Sequence, residues 1–309
     1  MFTRRARATL LAGLATIIFT GALAGCAAAP TAADDRLTVV AGLYPLQFVA
    51  EEVGGGRVSV TNLTQPGAEP HDVELTARQV ARVAKADLVV YLSGLQPAVD
   101  QAVDQGAPSR RLDVAGVADE LPAALTEQVA GETAPRGADP HVWLDPIRLT
   151  TIAEAVARAL SDADPGHADA YTANAQALAD RLARLDRAYA DGLAGCQRTV
   201  FITSHAAFGY LAARYGLTQQ AIAGLAPDSE PSPSRIARLQ AAASAAGVTT
   251  IFFETLASPA LAQAVASDLG LATAVLDPIE GLSRASAGDD YISLMEANLD
   301  ALRQANGCP

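Results

Sequence analysis

From Leu37 onward, short apolar runs alternate with longer segments whose apolar positions recur every three or four residues. The runs Leu37–Leu43, Val58–Thr64, Leu88–Leu92 and Arg111–Val114 predict strands. The segments Gln47–Val53, Leu75–Ala86, Pro97–Val103 and Pro146–Leu160 predict helices. Past residue 195 the alternation restarts, with strands over Thr199–Ser204, Gln219–Ala223, Val248–Phe253 and Ala272–Leu276 and helices over Phe208–Tyr215, Ser234–Ala246, Pro259–Leu269 and Tyr291–Ala305. Strand–helix alternation in both halves implies two parallel-sheet α/β lobes, with right-handed crossovers placing helices on both sheet faces. Between the halves lies Pro165–Ala194, where Tyr171, Ala175, Leu178, Leu182, Leu185, Tyr189 and Leu193 form one helical stripe. Asp164 and Pro165 open it and Gly195 can end it. At about 1.5 Å per residue it spans roughly 45 Å, enough to run across two domains. The alternatives are an ordinary surface helix, or two helices broken at Gly192.

The first 25 residues have a different character. Arg4, Arg5 and Arg7 precede an apolar run from Thr9 to Ala24 that ends in small residues, the pattern of an export signal. Glycines and threonines interrupt that run, which disfavours a permanent membrane span. Leu23-Ala24-Gly25-Cys26 resembles the bacterial lipobox, in which Cys26 is lipidated and becomes the new N-terminus. Ala27–Asp35 reads as a low-complexity tether. The expected organisation is a signal over 1–25, anchor and tether over 26–36, an N-terminal lobe over 37–163, a linking helix over 164–195 and a C-terminal lobe over 196–309.

Composition narrows the function. The formal charge of −12 becomes −15 once the three arginines of the signal are removed, because the signal holds no acid. Such a balance argues against nucleic acid as a partner. Of three cysteines, lipid would account for Cys26; in an exported protein Cys196 and Cys308 can pair, two free thiols being the alternative.

The chain has four histidines. His71 follows a strand through the loop Gln65–Pro70, His141 lies in Asp139-Pro140-His141-Val142-Trp143-Leu144-Asp145-Pro146, and His205 directly follows the strand ending at Ser204. Asp277 ends another strand. Ligands of open parallel sheets bind at the carboxyl ends of strands, where His71, His205 and Asp277 fall; His141, just before a helix, can join them. Three imidazoles and one carboxylate suit tetrahedral Zn²⁺. Glu254 and Glu280 are candidates to orient imidazole N–H groups, and Asp72 and Asp145 read mainly as caps or turn formers. Trp143 reads as packing behind the site, Ser234 as a helix cap, and His167 as a solvated residue.

Several motifs carry a family resemblance: Tyr44-Pro45-Leu46-Gln47-Phe48-Val49-Ala50-Glu51, Pro66-Gly67-Ala68-Glu69-Pro70-His71-Asp72, the His141 segment, Thr203-Ser204-His205-Ala206-Ala207-Phe208-Gly209-Tyr210, and Phe252-Phe253-Glu254. Together they resemble the zinc/manganese family of ABC-importer solute-binding lipoproteins. The resemblance implies two α/β lobes joined by one long helix, with a metal ion in the interlobe cleft held by His71, His141, His205 and Asp277. It further implies a monomer that hands its ion to a membrane permease and performs no chemistry. Within that family the third ligand is His in zinc-type members and often Glu in manganese-type ones, so His205 points to Zn²⁺, with Mn²⁺ or Fe²⁺ as alternatives. Many zinc-type members carry a His-rich loop before the second ligand; Asp119–Gly137 has no histidine. Two rival classes remain: a zinc hydrolase with Glu254 or Glu280 as base, although neither H-E-x-x-H nor G-x-S-x-G occurs, and a surface adhesin.

Overall fold

The computed structural model describes residues 35–123, 137–286, 288 and 290–309. The export signal, Cys26 with most of its tether, and the greater part of the histidine-free loop lie outside the described residues. Among those described, no helix is long and apolar enough to cross a membrane.

Two four-stranded parallel sheets form the two halves. The first holds β1 (Leu37–Ala41), β2 (Val58–Asn62), β3 (Leu88–Tyr91) and β4 (Arg111–Asp113) in the order β2-β1-β3-β4. The second holds β5 (Val200–Thr203), β6 (Thr218–Ala221), β7 (Thr250–Phe253) and β8 (Ala272–Val275) in the order β6-β5-β7-β8, so the same winding occurs twice. All four residues of β3 are buried, as a strand covered by helices on both faces must be. In each sheet the chain reverses direction around its first strand, which opens a crevice at the carboxyl ends.

The helices begin where local chemistry favours them. Helix α1 (Tyr44–Gly54) starts three residues before the periodicity suggests, because Pro45 fits the first turn, where its missing N–H costs nothing. Helices α2 (Ala77–Lys85) and α3 (Pro97–Gly106) follow, the former under a reciprocal cap between Thr76 and Gln79. Asp145 caps α4 (Pro146–Ala163), accepting the Ile147 N–H at 2.9 Å. Pro165–His167 is a 3₁₀ turn, after which α5 runs unbroken over Ala168–Gly192. In the second half come α6 (Gly209–Tyr215), α7 (Pro233–Ala246), α8 (Ala260–Leu269) and α9 (Tyr291–Asn306). The cap of α7 is Ser232, not Ser234: its hydroxyl accepts the Arg235 N–H, and Pro233 follows in the first turn.

Helix α5, about 37 Å long at the usual rise, packs against both halves. Its stripe of Tyr171, Ala175, Leu178, Leu182, Leu185 and Tyr189 is buried in a cluster that extends from Val39 and Val90 of the first half to Phe201, Phe252 and Leu302 of the second. Asn174 donates to the Val53 carbonyl at 2.9 Å, and the Tyr189 hydroxyl donates to the Met295 carbonyl at 2.6 Å. Arg181 pairs with Glu52 of α1 at 2.7 Å and with Asp290, the cap of α9, at 3.3 Å. One guanidinium therefore ties both halves to the spine. His167 is exposed, as expected, and pairs with Asp164 at 2.6 Å.

Cys196 and Cys308 are joined by a disulfide across 112 positions of sequence. Beside it, Arg198 N–H donates to the Asn306 carbonyl at 3.1 Å, fastening the end of α9 to the segment leaving the spine.

Candidate metal centre

Four side chains converge where the carboxyl ends of the two sheets face each other. His71 stands in the loop after β2, which a chain of polar contacts steadies. Buried Gln96 donates to the Pro70 carbonyl at 3.2 Å and to Thr64 Oγ1 at 2.9 Å, and Thr64 donates to the Gly42 carbonyl at 2.8 Å. A Cβ at Gly42 would lie 2.7 Å from Gln96 Oε1, so a larger residue there would displace the Gln96 amide. His141 opens a 3₁₀ turn (Val142–Leu144) leading into α4, and His205 directly follows β5. Glu280 comes from the segment after β8.

The three imidazoles present Nε2 to a single oxygen, Glu280 Oε1, at 3.3 Å from His71, 3.0 Å from His141 and 3.6 Å from His205. His141, His205 and Glu280 are buried and His71 is nearly so, 12% exposed. Nε2 of His141 and of His205 nevertheless makes no hydrogen bond, although burial normally demands one. A tetrahedral zinc ion with bonds of about 2.0–2.1 Å separates its ligand atoms by about 3.3–3.4 Å, inside the range of 3.0 to 3.6 Å from the three Nε2 atoms to Glu280. The orphaned lone pairs therefore fit a shared cation better than they fit mutual hydrogen bonding.

Neighbouring carboxylates select the imidazole tautomer. His141 Nδ1–H donates to Asp139 Oδ1 at 2.7 Å, and His205 Nδ1–H donates to Glu254 Oε1 at 2.9 Å. A carboxylate accepting at Nδ1 requires the proton there, which leaves Nε2 as a bare lone pair aimed at the centre. Ser204 Oγ donates to the same Glu254 oxygen at 2.8 Å. Burial opposes charging either imidazole, but Asp139 outweighs it and raises the His141 pKa, and Glu254 raises that of His205 further. Burial alone would raise the Glu280 pKa; the three imidazoles outweigh it and hold the carboxyl well below the usual range. Glu69, whose Oε1 accepts the His71 N–H at 3.2 Å, is pushed up to about 8 by burial and by Glu280.

The expected fourth position differs. Asp277 is not among the four side chains whose ligand atoms converge, and Glu280 is. The Asp277 carboxylate is already engaged: Oδ1 accepts the Ile279 N–H at 2.8 Å and Oδ2 accepts the Thr255 hydroxyl at 2.9 Å. Asn298 clasps the Asp277 backbone from both sides, accepting its N–H at 2.8 Å and donating to its carbonyl at 2.7 Å. Asp277 thus turns the chain so that Glu280, three residues on, reaches the imidazoles. Ile279, in the turn, has φ +59°, a costly left-handed conformation for a β-branched residue. The first half grips this strap at three points: Trp143 Nε1–H donates to the Pro278 carbonyl at 2.7 Å, Tyr44 N–H to the Glu280 carbonyl at 3.4 Å, and Gly67 N–H to the Leu282 carbonyl at 2.9 Å. Trp143 therefore packs edge-on behind His141 and also holds the opposite half. Asp139 was unforeseen as the partner of His141, though an aspartate two residues before it, in Asp-Pro-His, is the signal for such a turn.

The sequence pattern of the family described as "ZnuA: Zinc-uptake complex component A periplasmic" matches residues 39–305. The chain belongs to this family. Among relatives of this zinc-uptake component A member, the zinc-binding lipoprotein AdcA of Streptococcus pneumoniae is 37% identical over 281 residues, 88% of this chain and 56% of AdcA. The high-affinity zinc uptake system protein ZnuA of Bacillus subtilis is 34% identical over 282 residues, 88% of each. The crystal structure of Zn(II)-bound AdcA from S. pneumoniae superposes with a TM-score of 0.73 at 36% identity, covering 88% of this chain and 58% of that one. The chain thus spans a little over half of the AdcA proteins it matches.

Proposed function

We propose that this chain is the extracytoplasmic zinc-binding component of an ABC importer, capturing Zn²⁺ between its halves and delivering it to a membrane permease. The observation that carries the reading is the convergence of three Nε2 atoms on one Glu280 oxygen at tetrahedral spacings. His71, His141, His205 and Glu280 are the ligands, with Asp277 as builder of the strap and Asp139 and Glu254 orienting two of the imidazoles. Family membership and the zinc-binding names of its relatives support the same assignment.

Three imidazoles with one carboxylate favour zinc over manganese, which prefers oxygen donors. A hydrolytic zinc keeps one position for water, whereas four protein donors complete the tetrahedron, so the site holds its ion and makes no bond. The signal over 1–25 and a lipid on Cys26 place the monomer at the outer face of the cell membrane, where a lipid anchor keeps it near its permease. Residues 37–163 and 196–309 are the two lobes, with 164–195 as the connection between them.

Zinc titration of the metal-stripped full chain against a competing chelator tests this. One Zn²⁺ per chain should bind, and His141→Ala or His205→Ala should weaken it by orders of magnitude with circular dichroism unchanged. Preference for Mn²⁺ over Zn²⁺, or full zinc affinity in both variants, would overturn the reading.

A further inference from the structure

Beside the histidines lies a second group of possible ligands in which no imidazole takes part. Glu69, from the loop after β2, Glu254, at the end of β7, and Glu280 bring carboxylate oxygens within 4.8 Å of one another. Three like charges at that range repel unless something positive or a proton lies between them. Each also has one oxygen, Oε2, that is buried and lacks a hydrogen-bond donor. Glu254 and Glu280 are almost wholly buried, with side chains 2% and 0% exposed. Buried carboxylate oxygens without donors are costly, and several facing one point mark a place for a cation.

Charge points the same way: Asp139 and Glu254 adjoin the histidines beside Glu280, so one dication does not balance the acidic groups gathered there. We propose that Glu69, Glu254 and Glu280 form a second divalent-cation site, adjacent to the zinc position and sharing Glu280 with it. An all-carboxylate donor set selects hard cations of the Mn²⁺, Mg²⁺ and Ca²⁺ class, unlike the imidazole set beside it. One carboxylate bridging two ions places them about 3.5–4 Å apart. Glu69, the least buried of the three, gives this position its open side, where waters complete the coordination.

The site rests on the zinc-binding reading, and the test separates the two. The full chain in detergent is loaded with one equivalent of Zn²⁺, titrated with Mn²⁺ and followed by electron paramagnetic resonance, with retained zinc measured alongside. One Mn²⁺ should bind per zinc-loaded chain without displacing zinc. Glu69→Gln, which keeps an oxygen for the His71 N–H but cannot ionise to hold a cation, should weaken Mn²⁺ at least tenfold and leave zinc in place. If the zinc-loaded chain binds no Mn²⁺, if Mn²⁺ expels zinc, or if the variant binds Mn²⁺ as the parent does, the second site is wrong. Failure of the parent chain to take up zinc would overturn the functional reading as well.

Discussion

Replacing Glu254 separates orientation of His205 from charge. Its Oε1, almost wholly buried, accepts both the His205 Nδ1–H at 2.9 Å and the Ser204 hydroxyl at 2.8 Å. Glu254→Ala removes both, and a hydrogen bond to a charged group is worth about 1.5–3 kcal/mol. That converts to a zinc affinity lower by roughly 10- to 150-fold, in line with the 10–100-fold usual for groups that orient metal ligands. Glu254→Gln keeps an acceptor and the Nδ1–H tautomer, so the loss should be under about tenfold. The proton balance should change as well. Glu254 raises the His205 pKa, so a proton competes with zinc for this imidazole more strongly than it would without the carboxylate charge. Without the carboxylate charge that competition weakens, and calorimetry in buffers of different ionisation enthalpy should register fewer protons released per zinc. Zinc affinity within twofold of the parent in Glu254→Ala, with unchanged proton release, would refute this role.

Other consequences follow from the same geometry. Cys196→Ser with Cys308→Ser opens a covalent loop of 112 residues, for which chain entropy predicts up to about 4.8 kcal/mol of lost stability; urea denaturation of the metal-free protein should show several kcal/mol, and a change below about 1 kcal/mol would contradict it. The folded, metal-free pKa values of His141 and His205 are raised, so their contribution to stability is present below the ordinary value of 6.5 and fades as pH climbs through the raised values. Zinc needs both neutral, so its stabilising increment in thermal melts should grow steadily from about pH 5.5 to 8; a flat increment would count against imidazole ligands. Trp143→Phe keeps the buried ring but removes the donor to the Pro278 carbonyl, so zinc dissociation should accelerate several-fold in a stopped-flow chelator assay. An unchanged rate would mean that the strap does not limit release.

Much of the site was legible because strand ends were legible. His71, His205 and Glu254 follow apolar runs whose boundaries periodicity marks, and the topology then carries them to one crevice. The stripe of the long helix was equally readable, though its first turn is 3₁₀: Pro165 and Gly166 follow Asp164 there, and the α-helix proper begins at Ala168. The choice between Asp277 and Glu280 was not readable. It depends on a left-handed turn at Ile279, held by Thr255, Asn298 and Trp143 from three separate parts of the chain, and no local pattern encodes such tertiary contacts. Asp139 escaped notice for a simpler reason: Asp145 and Asp72 flank the same motifs and compete for the role by spacing alone.

The central claim is the identity of the fourth ligand alongside the three histidines. Anomalous diffraction at the zinc edge from zinc-loaded crystals tests it most directly. The account predicts one peak within about 2.0–2.2 Å of His71, His141 and His205 Nε2 and of a Glu280 carboxylate oxygen. A peak bonded to Asp277 with Glu280 turned away, or one outside the interlobe crevice, would contradict it.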